Sequence, residues 1–499
     1  MRILIDTNIF IHLEDNKIMN DSYAKFIRLC STYNHHILIH PYSIQDLQRD
    51  KNESRKKISL SKINKYQYLE SPPIPNELEL KELGLTSVKD NDIIDNIILF
   101  ALIKESVGIL ITEDIGIHKK AKKIGLDTRV LFLKQALHSL ELLHKVEDYH
   151  YPNILDKKVY NLDIEDTFFN SLKIDYPEFS DWFKKISQEA RNCWVYHGQD
   201  DKLSGLIIYK DEMNPIVTIS GDVLSGKTLK ISTFKVAEEE QGKKIGELFL
   251  KKIFSFSMKN GYQNIYLTTR ANKQIYLVNL IEDFGFKPFK LCSRGRDMVY
   301  IKKIPDSAPE KNYIDKFEYH KNFFPYIDCR NVKKHFIPIK PLYHRTLFPE
   351  IEKQQQFFYN NVQAGNTIKK IYLSHTKNTK LSKGDIILFY RSEDKQAITT
   401  LGIIEHIETA KANDFNKILE YSLKRSVYNY EQIKEMSKKE TLILLFRIVY
   451  HFDNPIKRDW LISNIGYKNC QTICELKDES FQRILVKADS KYCYYTKEL

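Results

Sequence analysis

Residues 228–246 read TLKISTFKVAEEEQGKKIG. The first nine alternate and are rich in Ile, Val, Thr and Phe, which predicts a strand from Thr228 to Val236. Three glutamates come next, then Gln241, Gly242, Lys243, Lys244, Ile245 and Gly246, and then ELFLKKIFSFSMKNG, whose apolar residues recur at helical spacing up to Gly261. A strand, a polar turn and a helix start succeed one another. The first backbone N–H groups of such a helix lack partners, and with the positive end of the helix dipole they make a phosphate site.

Working outward, residues 192–210 (NCWVYHGQDDKLSGLIIYK) read as two strands joined by a polar turn, and NIYLTT at 264–269 as another strand. A helix through IYLVNLIED then ends at Phe284, Gly285 and Phe286. Over residues 159–303 this order resembles the GNAT acetyltransferase superfamily, whose Q/R-x-x-G-x-G/A turn holds the pyrophosphate of CoA. Gln241 and Gly246 match that turn, and Lys244 departs from it. The resemblance implies a mixed sheet whose paired strands splay to admit pantetheine, with acetyl-CoA as cofactor. Its contacts would come from Phe234, Val236, Gln241, Gly242, Lys243, Lys244, Ile245 and Gly246. In that superfamily a tyrosine often stands four residues before the closing glycine as general acid. Here the residue is Ile281, which can donate no proton, so the acid is either supplied elsewhere, with Tyr276 on the same helix as the candidate, or absent.

Residues 221–228, GDVLSGKT, satisfy the Walker A pattern, which cradles nucleotide phosphates where it links a strand to a helix. The residues after Thr228 are alternating and β-branched, so a hairpin turn before a strand is the expected structure.

The chain has 499 residues, a length that suggests about three domains. Hydrophobic residues at 42 % and aromatic residues at 12 % exclude a disordered chain, and 30 Tyr with 27 Phe supply ring faces for stacking. Lys and Arg number 77 against 65 Asp and Glu, a net +12 that favours a polyanion such as RNA as partner. Seven cysteines without a C-x-x-C pair fit reduced thiols in a cytosol, and Cys470 with Cys474 would ligate a metal only if distant histidines joined them. No apolar run is long enough to cross a membrane and no leader pattern opens the chain, so a cytoplasmic protein is expected.

In the N-terminal part, RILI predicts a strand that delivers Asp6, with Thr7 and Asn8 next, to the C-terminal edge of an open sheet, where ligand sites of α/β folds lie. HHILIHP is a second strand, and SIQDLQRD places Asp46 and Asp50 on one helical face. DNDIIDNIILFALIKE starts a helix with Asp92 and Asp95 on one face, and GILITED delivers Asp114 to the same edge. Acids brought together this way repel one another unless a cation neutralises them. Over residues 1–136 the order resembles the PIN domain family, with Asp46 in place of the usual glutamate. The resemblance implies that Asp6, Asp46, Asp95 and Asp114, supplemented by Asp92, bind Mg²⁺ or Mn²⁺ and activate water against an RNA phosphodiester. Thr7, Asn8 and Thr112 would support them.

Beyond residue 303 the composition changes at PDSAPEKNYID, a linker by its prolines. Residues 371–408 give three alternating segments with a corner at Gly384 and Asp385, a small-barrel pattern. A helical insertion and two further strands, LILLFRIVY and FQRILV, would complete it. This part is similar to the PUA-like superfamily in its ASCH and EVE branches. That implies an RNA or modified-base pocket, with Tyr390, Arg391, Ser392 and Trp460 as candidates because rings and a guanidinium stack on bases. Alternation lets only one of Phe389 and Tyr390 face inward.

The expected architecture is α/β and α+β multidomain: a PIN-like α/β/α parallel sheet at 1–145, a GNAT mixed sheet at 146–305 and a PUA-like small barrel at 306–499. The expected protein is an N-acetyltransferase joined to a metal-dependent ribonuclease and an RNA reader. The alternatives are a non-catalytic RNA-binding assembly and a protein N-acetyltransferase with a decayed nuclease. No motif encodes the acetyl acceptor, the RNA or an antitoxin-like partner.

Overall fold

The structure is a computed structural model that describes residues 1–14, 21–50, 52–85, 90–144, 154–198, 202–270, 273–293, 295–305, 307, 309, 314–348, 351, 367–376, 380–423, 425, 428–467, 472–488 and 493–494. The chain divides into two compact units. One is Met1–Glu147 with Thr409–Thr441, and the other is Asp148–Glu408 with Leu442–Leu499.

The first unit is built on β1 (Arg2–Ile5), β2 (His36–Ile39), β3 (Gln67–Tyr68), β4 (Ile109–Ile111) and β5 (Val130–Leu131). Their order is β3-β2-β1-β4-β5 and every ladder is parallel. A sheet covered on both faces needs nearly continuous apolar strands. RILI, HILI and ILI supply them, and Leu4, Leu38 and Leu110 sit in one core with Ile94, Ile98 and Leu102. Helices α1 (Thr7–Glu14), α2 (Asp21–Thr32), α3 (Ser43–Gln48), α4 (Glu53–Lys62), α5 (Glu77–Glu82), α6 (Asp90–Ile103), α7 (Ile115–Lys123) and α8 (Leu133–His144) connect and flank the strands. Asp50 lies just beyond α3 and pairs with Arg55 instead of sharing a helical face with Asp46.

The second unit holds a seven-stranded mixed sheet of β6 (Ile154–Lys158), β7 (Asn192–His197), β8 (Leu203–Met213), β9 (Lys227–Val236), β10 (Asn264–Thr269), β11 (Lys287–Leu291) and β12 (Met298–Lys303), in the order β11-β12-β10-β9-β8-β7-β6. Helices α9 (Asn170–Asp175), α10 (Phe179–Gln188), α11 (Ile245–Lys259) and α12 (Ile275–Asp283) accompany it. The expected strands and the two later helices are present, and Ile245, Phe249, Ile253 and Ile281 fill the core beneath them. The Walker-like Lys227 opens β9, and its ammonium bonds the Asn260 carbonyl at 2.9 Å, so that segment is a turn before a strand.

The same unit continues through α13 (Lys316–Phe323), β13 (Ile327–Asp328), β14 (Lys334–Ile339), α14 (Pro341–Leu347), β15 (Lys369–Ser374), β16 (Ile386–Arg391) and β17 (Ala397–Ala410). The chain then makes α15 (Phe415–Ser422) and α16 (Tyr430–Ser437), which belong to the first unit, and returns as β18 (Thr441–Lys457), α17 (Arg458–Ile465), β19 (Cys474–Leu476), α18 (Asp478–Lys487) and β20 (Cys493–Tyr494).

Three expectations for this part are corrected. Among the described residues the six-stranded sheet is open, in the order β15-β18-β17-β16-β14-β19, and no closed barrel forms. The expected strand FQRILV lies within helix α18: Asp478 and Glu479 occupy its first turn, and Phe481, Ile484 and Leu485 recur at helical spacing and are buried. Phe389 and Tyr390 are both buried, because β16 is a central strand with neighbours on each side and both faces covered.

The central sheet and the C-terminal module are fastened through charge. Arg447 is buried and donates to the Asp283 carbonyl at 2.9 Å, to Asp283 Oδ1 at 3.1 Å and to Glu405 Oε1 at 3.3 Å. Lys302, also buried, donates to the carbonyls of Lys321 and Asn322 at 3.0 and 2.8 Å. Gly285 has a φ of +82°, and a Cβ there would stand 2.2 Å from the Lys321 carbonyl oxygen, so the glycine is required by this joint.

The expectation of reduced thiols holds for Cys30, Cys193 and Cys292, which are free and buried, whereas Cys474 is disulfide-bonded. Cys470 lies outside the described residues. Among the described residues no helix is long and apolar enough to cross a membrane.

Candidate active site

Strands β9 and β10 are parallel, and their ladder runs only from Thr228↔Asn264 to Ile231↔Leu267. Beyond Ile231 strand β9 keeps its antiparallel ladder to β8 as far as Val236, so it leaves β10 while staying in the sheet. A slot opens there between two parallel strands. Phe234 and Val236 are half-buried on the diverging part of β9, and Phe234 meets Phe249 of α11 edge to face at 5.9 Å.

Past β9 the chain makes the turn. Gly242 has a φ of +90° and Lys244 a φ of +63°, so two left-handed residues bring the backbone round to α11. Lys244 adopts a conformation that favours glycine, at the very position where the turn departs from the pattern. It is the N-cap of α11 and its side chain does not cap that end, so among the described residues Ile245 and Gly246 open a helix whose first N–H groups receive no cap from the N-cap residue. Lys243 donates to the buried Glu240 at 3.1 Å, and Lys244 pairs with the buried Glu247 at 3.5 Å. Glu240 also accepts from the Tyr196 hydroxyl at 3.2 Å. Gly246 faces Leu280 of α12, with which a Cβ would collide at 2.6 Å. Gln241, Gly242, Lys243, Lys244, Ile245 and Gly246 therefore stand together at one helix start beside the slot. Two lysines, uncapped amides and a helix dipole of the right sign suit a pyrophosphate.

Ile281 is fully buried in the core under α12, while Tyr276 on the same helix is 40 % exposed. Four residues that carry no sequence signal cluster at the open end of the slot: Tyr176, Lys235, Arg270 and Asp297. They are far apart in sequence: the pairing of β10 with β12 sets Asp297 beside Arg270, and Tyr176, which follows α9, lies against the Arg270 guanidinium at 4.6 Å.

In the first unit Asp6 follows β1, and its two oxygens are filled. Oδ1 accepts the Thr7 amide at 2.7 Å, and Oδ2 accepts Asn8 Nδ2 at 2.5 Å and Thr112 Oγ1 at 2.6 Å. Asp46 accepts from Thr7 Oγ1 at 3.3 Å. Asp114 caps α7 by accepting the Ile117 amide at 3.0 Å. Lys120 of α7 reaches Asp92 at 2.9 Å and Asp95 at 3.3 Å. Burial first, then Asp95 and Asp114, pushes the Asp6 carboxyl up to about 7 against the pull of Thr112 and Thr7. Burial also raises Asp95 to about 6, assisted by Asp114 and Asp46 and opposed by Lys120. Burial raises Asp46 as well.

The expected acids thus share one electrostatic neighbourhood at the sheet edge, with Thr7, Asn8 and Thr112 against Asp6. Among the described residues, however, no group of three or more His, Cys, Asp or Glu side chains is arranged to hold a metal ion. The oxygens that would ligate Mg²⁺ or Mn²⁺ are engaged by protein donors and by the Lys120 ammonium, so the donor set does not fit a metal in this arrangement.

In the C-terminal module Tyr390 packs in the core between Phe336 and Tyr467, with ring centroids 5.0 and 6.0 Å away. Arg391 is buried and donates to Asp394 through Nε and Nη2. Ser392 donates to the Ile339 carbonyl at 3.1 Å, and Trp460, half-buried on α17, packs on the same core.

Comparison with known proteins adds one decisive finding. Residues 157–286 match the family model Acetyltransferase (GNAT) family. The central module is a GNAT acetyltransferase domain. No curated protein matches the chain. Among solved structures, the paiA N-acetyltransferase from Thermoplasma acidophilum in complex with coenzyme A is similar at 15 % identity and a TM-score of 0.24, covering 31 % of this chain and 99 % of that one. A GNAT-family acetyltransferase from Staphylococcus aureus Mu50 gives 16 %, 0.23, 31 % and 99 % for the same quantities. The ASCH protein from Zymomonas mobilis gives 14 %, 0.24, 31 % and 94 %.

Proposed function

We propose that the GNAT domain makes this chain an N-acetyltransferase that uses acetyl-CoA. The observation that carries the reading is the slot between β9 and β10 beside the uncapped start of α11, within the segment that matches the family. When bound, acetyl-CoA supplies an activated acetyl group. Gln241, Gly242, Lys243, Lys244, Ile245 and Gly246 would hold its pyrophosphate through backbone N–H groups and lysine charge. Phe234 and Val236 would line the slot for its pantetheine arm. Tyr276, the exposed phenol on α12, is assigned the proton for the leaving thiolate, since the buried Ile281 has none.

The test is calorimetric titration of the full chain with CoA. Gly242→Val forces a β-branched residue into a left-handed turn and should weaken CoA binding at least about ten-fold, the scale of a strained backbone site. Tyr276→Phe should lower kcat and leave CoA affinity unchanged. Equal CoA affinity in Gly242→Val would remove the turn from the binding site.

For the first unit the acid pattern taken alone would point to a metal-dependent ribonuclease, but its acids are engaged by protein donors and by Lys120, which favours a second reading, a non-catalytic scaffold. Cleavage of RNA by the full chain with Mn²⁺ supports the first, and its absence supports the second. RNA as partner, a cytoplasmic setting and the division into modules at 1–145, 146–305 and 306–499 complete the proposal. The RNA partner is supported by the net charge of +12.

A further inference from the structure

Between β8 and β9 the chain makes a hairpin, residues 214–226, that folds back over the central sheet. Its inner side is settled: Val217 and Leu224 are buried with Tyr266 of β10, Val299 of β12 and Cys292. Its tip is fastened as well. Asp222 receives hydrogen bonds from Thr218 and Ser220 and holds the Lys290 ammonium of β11 at 2.8 and 3.0 Å. An antiparallel bridge between Thr218 and Cys292 joins the hairpin to the chain just after β11. Those two residues are buried, and the next pair along the bridge, Ile219 and Leu291, points the other way.

The outer side of the same ribbons is apolar and uncovered. Ile216 and Val223, themselves a cross-strand pair, and Ile219, Phe289 and Leu291 are between 44 and 64 % exposed. Single exposed apolar residues are ordinary, but five on two joined ribbons present on the order of 500 Å² of apolar surface, a size that marks an interaction site. Lys287, Lys290 and Arg296 are exposed around it, and the acids beside them are engaged, Asp222 by Lys290 and Asp297 by Arg270. The rim is therefore cationic. Two copies of the chain meeting about a two-fold axis here would bring one cationic rim against another. A bilayer that took in Ile219 and Val223 would also take in the polar tip between them, Ser220, Gly221 and Asp222. Phe289 is the one ring among the five, so bases would find a single stacking face. Addition of a strand to β11 is opposed by Pro288, the lysines and the break in register between Pro288 and Leu291. Side-chain docking of an acidic polypeptide meets none of these obstacles.

We propose that this flank, the hairpin 214–226 with β11, docks a partner protein through an acidic segment that carries aliphatic side chains. The aliphatic groups cover Ile219, Leu291 and their neighbours, and the carboxylates meet Lys287 and Arg296 at the rim. With that polar rim the patch reaches the size of one side of an ordinary protein interface, about 800 Å². The docking needs neither CoA nor acetyl transfer, so it stands or falls apart from the acetyltransferase reading.

The test uses the full chain and three labelled amphipathic peptides followed by fluorescence anisotropy: one of Leu and Glu, one with Lys in place of Glu, and one with Ser in place of Leu. The Leu/Glu peptide should bind, and the other two should bind at least about ten-fold more weakly. Ile219→Asp with Leu291→Asp should weaken its binding at least about ten-fold. Lys287→Glu with Arg296→Glu should weaken it by a similar factor, one that shrinks as salt is raised. All four side chains are exposed, so thermal unfolding of the variants should match the wild type; where it does not, Ile219→Ser with Leu291→Ser serves in place of the aspartates. A Leu/Glu peptide that does not bind, or that binds the Ile219 and Leu291 variant as tightly as the wild type, overturns the proposal. Equal binding of the Lys-containing peptide overturns it too. Sedimentation velocity and co-sedimentation with phosphatidylglycerol vesicles name the rival occupants: self-association or vesicle binding by the wild type that is lost in the same variant would give the flank to a second copy or to lipid and overturn the proposal.

Discussion

Asp6 at the end of β1 and Asp297 before β12 are both carboxylates at the rim of a sheet, and they are treated in opposite ways. Both oxygens of Asp6 are filled by Thr7, Asn8 and Thr112, and its neighbours Asp92 and Asp95 share the ammonium of Lys120. Asp297 is paired with Arg270 at 3.4 Å, and among the described residues its buried Oδ1 accepts no hydrogen bond, beside a slot where two parallel strands part company. The rim at Asp6 is rich in the right residue types and already satisfied. The rim at Asp297 carries no sequence motif. Convergence of residue types makes a neighbourhood and is not by itself a binding site.

The largest effect that could break this contrast is the pH dependence of the first unit. Asp6 is raised to about 7 and Asp95 to about 6, so both favour the protonated form in the folded state. Their stabilising contribution is complete below the ordinary carboxylate range and is lost as pH rises through those values. Glu420, in the same unit and raised to about 7 mainly by burial, acts in the same direction. Thermal unfolding of the first unit should therefore show lower stability at pH 8 than at pH 5. The Asp6 share is on the order of 3 kcal/mol. Asp6→Asn should remove the Asp6 share and leave the part of the slope that Asp95 and Glu420 supply. Stability that stays level or rises between pH 5 and pH 8 would mean that the acids are stabilised as anions, as a metal site requires.

A smaller effect sharpens the same contrast. Lys120→Met removes the ammonium between Asp92 and Asp95, which are partly exposed, so the loss at pH 8 should be about 1–2 kcal/mol after allowance for solvent screening. The vacated acids should then respond to Mn²⁺, whose addition should restore part of the lost stability. If the wild type gains as much from Mn²⁺ as Lys120→Met does, the lysine is not the resident cation.

The strand, turn and helix of 228–261 are legible in the sequence because their periods differ sharply and the turn residues sit between them. The parallel sheet of the first unit is legible from its short apolar strands, and so are its edge acids. Their pairing is not: in HKKAKKIG nothing distinguishes Lys120 from its neighbours until α7 is packed beside α6. FQRILV deceives because six residues are too few to separate the two periods, and the acidic turn ahead of it decides for a helix. Phe389 and Tyr390 deceive because alternation assumes one wet face, and β16 has none. Tyr176, Lys235, Arg270 and Asp297 carry no motif, and their proximity comes from the pairing of β10 with β12 and from the packing of the segment after α9.

The contrast between the two rims is tested most directly by following thermal unfolding of the full chain with CoA alone and with Mn²⁺ alone. A ligand present at about one hundred times its Kd adds about 2.7 kcal/mol to the unit that binds it. CoA should raise the transition of the unit that contains the GNAT domain by that order, and Mn²⁺ should leave both transitions in place. A rise with Mn²⁺ and none with CoA would contradict the account.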